Sequence, residues 1–432
     1  MTRSTGADTS PSRRAVLGGL AGATAAAVAP TTAAATTQEA AATVLTRNVY
    51  LGADLSGLFG VLSLDGLRTA VGDLLADLDP DRVATRADAV AAEIAATGAD
   101  VVALQEAAVL RTQRPGDFGT QGAEPAENVV VDVLAEIEAA LEDRGLDYEV
   151  AAATVTTDVE LPAETDDGRP DVRLTDRDVL LVRDGVAVEA TETARFEAAL
   201  SFPLPWVEGG LSLQRGYCRA DLAIEGSSFT AVSTHLESID GDVRTEQAEE
   251  LVAALPAEGP VVVGGDFNSG PGGSTGAYDR LTVSLTDAYA ERNPDGGGFT
   301  CCQASDLGNG ESRLDRRIDG LLYRGPLRPT GVERVGHRPD DRIAYGSDGE
   351  TNQLWPSDHA GVVGTFELDV ETGTSTPAGT PTTTAASGAE TAGEATTDAM
   401  ATASTPRTGA GLGVLAALAG IAGGLAGRLR RE

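Results

Sequence analysis

Between about residues 41 and 368 the sequence predicts an α/β or α+β sandwich in which helices cover the faces of sheets. Short β-branched apolar runs are bounded by Gly, Pro and charged residues, and stretches with a 3.6-residue apolar period lie between them. Carboxylates, amides and histidines recur where those runs end. "TVLTRNV" reads as the opening strand, ending at Asn48. After a linker, "DRVATRADAVAAEIAATG" has the period of an amphipathic helix, with Gly98 placed to end it. "ADVVALQEA" is a short buried strand running into Gln105 and Glu106. A second helix is expected over roughly 128–143, followed by strands near "YEVAAATV" and "RDVLLVR". The strands "GYCRADLAI" and "SFTAVSTHLES" are separated by a hairpin turn at 225–227, and "DVRTEQAEELVAALP" is helical.

That helix leads into "PVVVGGDFNSGPGG". A β-branched run bounded by Pro and Gly is apolar on both faces, as in a central strand. Asp266 and Asn268 then stand at its C-terminal end, two residues apart and pointing the same way, where open α/β sheets bind ligands. Taken alone, the stretch reads equally as an Asx-rich turn. "RRIDGLLYR" and "HAGVVGTFEL" supply two more strands. "TQRPGDFGTQGAEPAE", "LPAETDDGRPD" and "SFPLPWVEGG" read as loop insertions, and no internal repeat is evident.

Both ends of the 432-residue chain read as separate from this fold. Residues 1–35 carry twin arginines, Arg13 and Arg14, ahead of a small-residue apolar stretch, the pattern of a twin-arginine export signal. Residues 369–408, rich in Thr and Ala, bury too little to offset their ordering entropy and read as a stalk. Residues 409–427 are uncharged and, as a helix, would span about 28 Å, close to a bilayer's hydrocarbon core. The basic tail 428–432 would stay cytoplasmic, leaving the main body outside. The expectation is an exported protein, held at the cell surface through its C-terminal helix or released to the medium. The net charge of −34 and the absence of Lys fit a surface working in high salt. Such charge repels nucleic acid in dilute buffer, but at about 1 M salt the screening length is about 3 Å and the repulsion fades. Cys218, Cys301 and Cys302 allow one disulfide, a vicinal pair included, and show no zinc-type spacing.

Asn48, Glu106, His235, Asp266, Asn268, Asp319, Asp358 and His359 all lie at or just beyond apolar strand ends. Of the three histidines only His337 falls outside this set. "SDH" cannot act as a serine triad, because chain neighbours on an extended segment point apart, and no G-x-S-x-G elbow is present. Carboxylates, amides and histidines without a nucleophile suit hydrolysis of a phosphoester assisted by a hard cation.

The stretches "RNV", "LQEA", "STHLES", "GGDFNS", "RRIDGLLYR" and "PSDHAG", in that order, resemble the successive motifs of the endonuclease/exonuclease/phosphatase superfamily, the fold of DNase I, abasic-site endonucleases and neutral sphingomyelinases. The end segments resemble those of haloarchaeal surface proteins. The superfamily resemblance covers about residues 43–366 and implies a four-layered α/β sandwich of two packed, mainly antiparallel sheets flanked by helices. It implies Glu106 as principal metal ligand with Asn48 beside it, Asp358 reaching the metal through water, and Mg²⁺ as the ion, Mn²⁺ or Ca²⁺ being alternatives. Asp266 would orient or deprotonate the attacking water and Asn268 would bind a phosphate oxygen. His359, oriented by Asp319, would be the other base or a donor to the phosphate, and His235 a donor to the phosphate or leaving group. Arg215 and Tyr217 occupy a segment where relatives place phosphate-contacting side chains, although Tyr217 also reads as core.

The expected activity is that of a metal-dependent phosphodiesterase, foremost an extracellular nuclease. The alternatives are a lipid phosphodiesterase of phospholipase C or sphingomyelinase type, for which "FPLPW" would touch the membrane, a phosphomonoesterase as the third reading, and a non-catalytic surface binding domain. The expected partners are a phosphodiester substrate, nucleic acid or lipid head group, and the membrane through the C-terminal helix. No protein partner is evident.

Overall fold

Strand and helix boundaries follow side-chain chemistry closely enough to be explained one by one. A computed structural model of the chain describes residues 40–53, 55–58, 61, 63–202, 210–346 and 352–368. Its first half comprises β1 (Ala41–Asn48), α1 (Leu64–Asp77), α2 (Pro80–Thr97), β2 (Val101–Gln105), β3 (Val109–Gln113), β4 (Asn128–Asp132), α3 (Val133–Asp143), β5 (Tyr148–Pro162) and β6 (Asp171–Arg183). There follow β7 (Ala187–Arg195), β8 (Leu200–Phe202), β9 (Leu211–Leu213), β10 (Gly216–Ile224), β11 (Ser227–His235), α4 (Gly241–Ala254) and β12 (Val261–Asp266). The last part holds α5 (Gly276–Leu281), β13 (Thr286–Asp287), α6 (Ala288–Arg292), β14 (Asp319–Arg324), β15 (Leu327–Val335), β16 (Ile343–Tyr345), β17 (Asn352–Leu354) and β18 (Gly361–Leu368). The expected export signal, stalk and C-terminal helix, and "FPLPW" beyond Phe202, lie outside the described residues. Among the described residues no helix is long and apolar enough to cross a membrane.

One sheet runs β15–β18–β1–β2–β6–β3–β4, with β5 also on β6, and the other runs β13–β14–β12–β11–β10–β7. Each contains one parallel pair, β1 with β2 and β11 with β12. Between the sheets Val44, Val101, Ala103 and Leu180 meet Cys218, Ala220, Ala231, Val262 and Leu321. Outside the first sheet Val90 and Ile94 of α2 and Ile137 and Leu141 of α3 cover Leu45, Val102 and Leu104. Outside the second, Leu251 of α4 and Leu281 of α5 cover Val232, Val261 and Val263. The fold is therefore the four-layered sandwich expected. β12 is apolar on both faces because Val262 looks inward while Val261 and Val263 look out.

The glycines after those valines allow two close approaches, Gly264 between the sheets and Gly265 within its own. A Cβ on Gly264 would lie 3.0 Å from the Cβ of Ala103 and 3.1 Å from that of Thr46, and one on Gly265 would lie 2.5 Å from the Thr234 carbonyl oxygen. The bare Gly264 lets the sheets close just beneath Asp266, which brings that carboxylate within reach of the opposite sheet, while the bare Gly265 lets β12 lie close along β11.

Several elements differ from the sequence expectation. Residues 128–143 are not one helix: "NVVVD" is β4, paired to β3, and Asp132 starts α3 by accepting from the Ala135 N–H at 3.2 Å. The β-branched valines favour the strand and the Asp is the cap. The linker after β1 contains α1, whose Ser63 accepts from the Gly66 N–H at 3.0 Å. The edge strand β7 carries no apolar face, since its residues are nearly all exposed. Strands β5 and β6 reach into the expected loop "LPAETDDGRPD", to Pro162 and from Asp171. Cys301 and Cys302 form the vicinal disulfide, and Cys218 is the buried free thiol.

Candidate active site

The floor of the site is a row of register partners. His235 at the end of β11 pairs with Asp266 at the end of β12, and Asp266 pairs with Asp319 at the start of β14. Register partners present side chains on one face, so a histidine and two carboxylates stand in line on the inner face of one sheet. None is more than 2% exposed. The facing sheet contributes Asn48 from the end of β1, whose Nδ2 donates to Asp266 Oδ2 and to Glu106 Oε1, at 3.1 Å in each case.

Glu106 and Asn268 sit just past β2 and β12 with φ of 59° and 47°. Side chains other than Gly rarely adopt that conformation, and it persists only where the surroundings over-determine it. Here they do. Glu106 Oε2 accepts from the Leu51 N–H at 3.0 Å, while the Asn268 N–H donates to Asp266 Oδ1 at 2.9 Å and its Nδ2 to the Leu236 carbonyl at 2.9 Å.

Two histidines flank Asp266. His359 Nδ1 is 2.8 Å from Asp319 Oδ2 and 3.6 Å from Asp266 Oδ2. Arg47 donates to the His359 carbonyl, and Ser357 Oγ accepts from the His359 N–H at 3.2 Å while donating to the Asn48 carbonyl at 2.8 Å. His235 Nε2 is 3.5 Å from Asp266 Oδ2, and its Nδ1 is 3.0 Å from Arg215 Nη1. Behind β1, the buried Arg86 donates to the Tyr50 carbonyl at 2.6 Å and to the Pro356 carbonyl at 3.0 Å, tying the segment after Asn48 to the one before Asp358.

Burial shapes the charges. It pushes Glu106 up to about 7, with Asp358 and Asp176 adding repulsion. Burial and then Asp319 push Asp266 up to about 6, opposed by His359. For His359 burial works against the charge, but the carboxylates of Asp319, Asp358 and Asp266 outweigh it and hold the ring well above the usual histidine range. Burial, then Arg215 and His359, hold His235 well below that range. The surroundings thus favour the charged form of His359 and the neutral form of His235. A divalent cation would fit beside Glu106, because a half-buried carboxylate facing two more carboxylates is stabilised as an anion by a positive charge, and Asn48, Glu106 and Asp358 carry oxygens of the kind that a hard cation takes.

The structure thus brings Asn48, Glu106, His235, Asp266, Asn268, Asp319 and His359 into one connected cluster, with Arg215 against His235. Asp358, half-buried, acts on Glu106 and His359 through its charge. Tyr217 does not join them. Its hydroxyl donates to Glu192 Oε1 at 2.8 Å and its ring packs on Phe196, centroids 6.0 Å apart, in the outer core under α4. Alternation along β10 explains the correction, since Gly216 is the register partner of His235 and the next residue faces the other side. Sequence reasoning missed Asp176 and Asp178, two apart on β6, although a D-x-D pair running straight into "VLLV" is a readable signal.

Oxygen donors for a hard cation, a buried carboxylate able to take a proton from water, and a histidine on either side of it make this the site of a metal-dependent phosphoester hydrolase. A model of the Endonuclease/Exonuclease/phosphatase family matches residues 48–359, and the chain belongs to that family. Among solved structures, a family protein from Bacteroides thetaiotaomicron is 17% identical over 77% of this chain and 100% of its own, with a TM-score of 0.47. The mannosyl-6-phosphatase of Bacteroides thetaiotaomicron is 17% identical over 76% of this chain and 100% of its own, TM-score 0.45. A truncated TDP2 from Caenorhabditis elegans is 18% identical over 76% and 98%, TM-score 0.41. No curated protein matches the chain.

Proposed function

We propose that the chain is an exported, Mg²⁺-dependent phosphodiesterase that cleaves nucleic acid outside the cell, with Mn²⁺ or Ca²⁺ as substitutes. The observation behind the diester reading is the charge around the pocket. Glu106, Asp176, Asp266, Asp319 and Asp358 surround it, against Arg215 and a protonated His359. A monoester dianion meets roughly twice the repulsion that a diester monoanion meets there. A non-catalytic binding role leaves buried carboxylates of this kind without a use to offset their cost.

Asp266, ionised above about pH 6, accepts the proton of the attacking water. Its carboxylate is oriented by Asn48 and by the Asn268 N–H. The carboxylates around His359 favour its charged form, so we assign it as donor and not as base: Asp319 holds Nδ1, and Nε2–H, with Cys302 Sγ 3.9 Å away, would serve an oxygen of the reacting phosphoryl group. The Asn268 amide would bind another such oxygen. A cation bound by Asn48, Glu106 and Asp358 supplies Lewis-acid stabilisation of charge on the phosphoryl oxygens. Export and surface anchoring rest on the twin arginines and on segment 409–427, and the net charge of −34 suits action on a polyanion only in high salt.

The test uses the full chain in molar salt with Mg²⁺, with and without EDTA, on plasmid DNA, bis-p-nitrophenyl phosphate, p-nitrophenyl phosphate and phosphatidylcholine vesicles. EDTA-sensitive cleavage of DNA and the diester is expected. Cleavage of the monoester alone ends the diester reading, and release of head group without DNA cleavage moves it to lipid. Fractionation of the producing cells checks export, which fails if the activity stays in the cytosol.

A further inference from the structure

Arg215, Asp176 and Asp178 gather behind His235 and have no task in the scheme above. Arg215 Nη1 lies 3.0 Å from His235 Nδ1 and 3.4 Å from Asp176 Oδ2. Asp176 Oδ2 also accepts from Thr156 Oγ1 at 3.2 Å, and Asp178 Oδ2 accepts the His235 backbone N–H at 3.1 Å. Arg215 thus backs the ring and is itself anchored by Asp176, while Asp178 holds the His235 backbone.

A guanidinium has donors and no acceptor, so its contact with Nδ1 requires a lone pair on that nitrogen. Burial and the adjoining cation keep the ring neutral, and a neutral imidazole carries one proton. That proton then sits on Nε2, the nitrogen 3.5 Å from Asp266 Oδ2. A rival donor faces the same atom: Asn268 Nδ2, at 3.0 Å, with its amide oriented by the bond to the Leu236 carbonyl. The neutral ring can satisfy one of the two donors. A hydrogen bond from a cation is roughly twice as strong as a neutral one. The Asn268 amide keeps Leu236 as a partner in either case, whereas Arg215 already has its buried Nε without one. Arg215 wins the competition.

We propose that Arg215, anchored by Asp176, is a positioning residue that sets the tautomer of His235, keeping its one ring proton on Nε2 so that this histidine donates a hydrogen bond to a phosphoryl oxygen and cannot serve as a base. The proton stays on the histidine throughout. Without Arg215, Asn268 takes the Nε2 lone pair, the proton moves to Nδ1, and the donor is lost. The inference deepens the phosphoester-hydrolase reading of this site and rests on it for the rate effect, not for the tautomer.

The tautomer is read directly from two-bond ¹H–¹⁵N spectra of the ¹⁵N-labelled full chain with Mg²⁺. His235 is assigned by difference from His337→Gln and His359→Gln. In the unaltered chain Nδ1 is expected in the unprotonated range and Nε2 in the protonated range, and Arg215→Met exchanges them. An imidazolium or Nδ1–H pattern in the unaltered chain overturns the proposal, as does an unchanged pattern in folded Arg215→Met. On bis-p-nitrophenyl phosphate, kcat falls about 100-fold in Arg215→Met with KM nearly unchanged, the loss typical of one missing donor, and Arg215→Lys recovers part of it. A rise in KM alone marks Arg215 as a direct phosphate contact and overturns the positioning role. If Arg215→Met does not fold, Asp176→Asn replaces it: a mixture of both tautomers supports the proposal and an unchanged Nε2–H tautomer overturns it. An unaltered chain with the expected tautomer and no phosphoester cleavage overturns the proposed function and leaves the tautomer assignment standing.

Discussion

His235 and His359 stand on two sides of one carboxylate oxygen, Asp266 Oδ2, at 3.5 and 3.6 Å, and their surroundings push them in opposite directions, His359 toward the charged form and His235 toward the neutral one. Both rings are nearly excluded from solvent, so exposure does not separate them. What differs is the group behind each ring. His359 is backed by the Asp319 carboxylate and keeps an extra proton, while His235 is backed by the Arg215 guanidinium and keeps only one. A histidine's role in this pocket is decided by its rear partner more than by the substrate it faces.

Removing the carboxylate that both histidines share should have the largest effect. Asp266→Asn is expected to lower kcat on bis-p-nitrophenyl phosphate by about 10³-fold, at the upper part of the range for a lost proton acceptor, with both rear pairs intact. A fall below tenfold moves the base elsewhere. Asp319→Asn attacks one side of the comparison only. It should cost about 10²-fold in kcat, and the ¹⁵N spectrum of His359 should change from imidazolium to neutral at pH 7. A His359 that stays charged there would show that Asp266 and Asp358 suffice to hold the proton.

The shared carboxylate also sets the acid limb of the pH profile. Asp266 must be ionised to accept a proton and its pKa is pushed up to about 6, so kcat/KM should fall as pH drops through about 6 and level off above it. The cation side titrates higher. Glu106 is pushed up to about 7, so Mg²⁺ binding must displace a proton from it, and affinity should rise with pH through about 7. Calorimetry in two buffers of different ionisation enthalpy reads the released proton at pH 6.5, and its absence would remove Glu106 as the principal ligand. Tyr217→Phe should change least: the hydroxyl bonds Glu192 on the far side of β10, so kcat is expected within about twofold and stability to fall by about 1 kcal/mol, as for one lost hydrogen bond, seen as a lower midpoint in urea.

Much of this arrangement was legible in the chain. The valine run closing on "GGDFNS" announced a central strand with polar ends, and β12 is that strand with Asp266 as its last residue. The helix expected from "DRVATRADAVAAEIAATG" ends where Gly98 adopts φ 60° and its N–H bonds the Ile94 carbonyl. Such signals are local, being set by period and backbone preference. The misses had two causes, one local and one not. β4 was hidden in front of α3 because a strand followed at once by a helix carries two periods in one window. β7 was invisible because its exposed residues carry no apolar pattern, its pairing coming from β10.

The sequence by itself determined which residue types stand at the strand ends, because alternation and turn chemistry act over a few residues. It determined the order of those ends as well, and with them the family. Only the tertiary structure decided that Tyr217 faces the outer core while Arg215 turns to the site, and that His235 and His359 differ in charge. The physical reason is distance along the chain: Arg215 reaches His235 from a neighbouring strand, and Asp319 reaches His359 from the other sheet, so neither rear partner exists until the sheets have paired and packed.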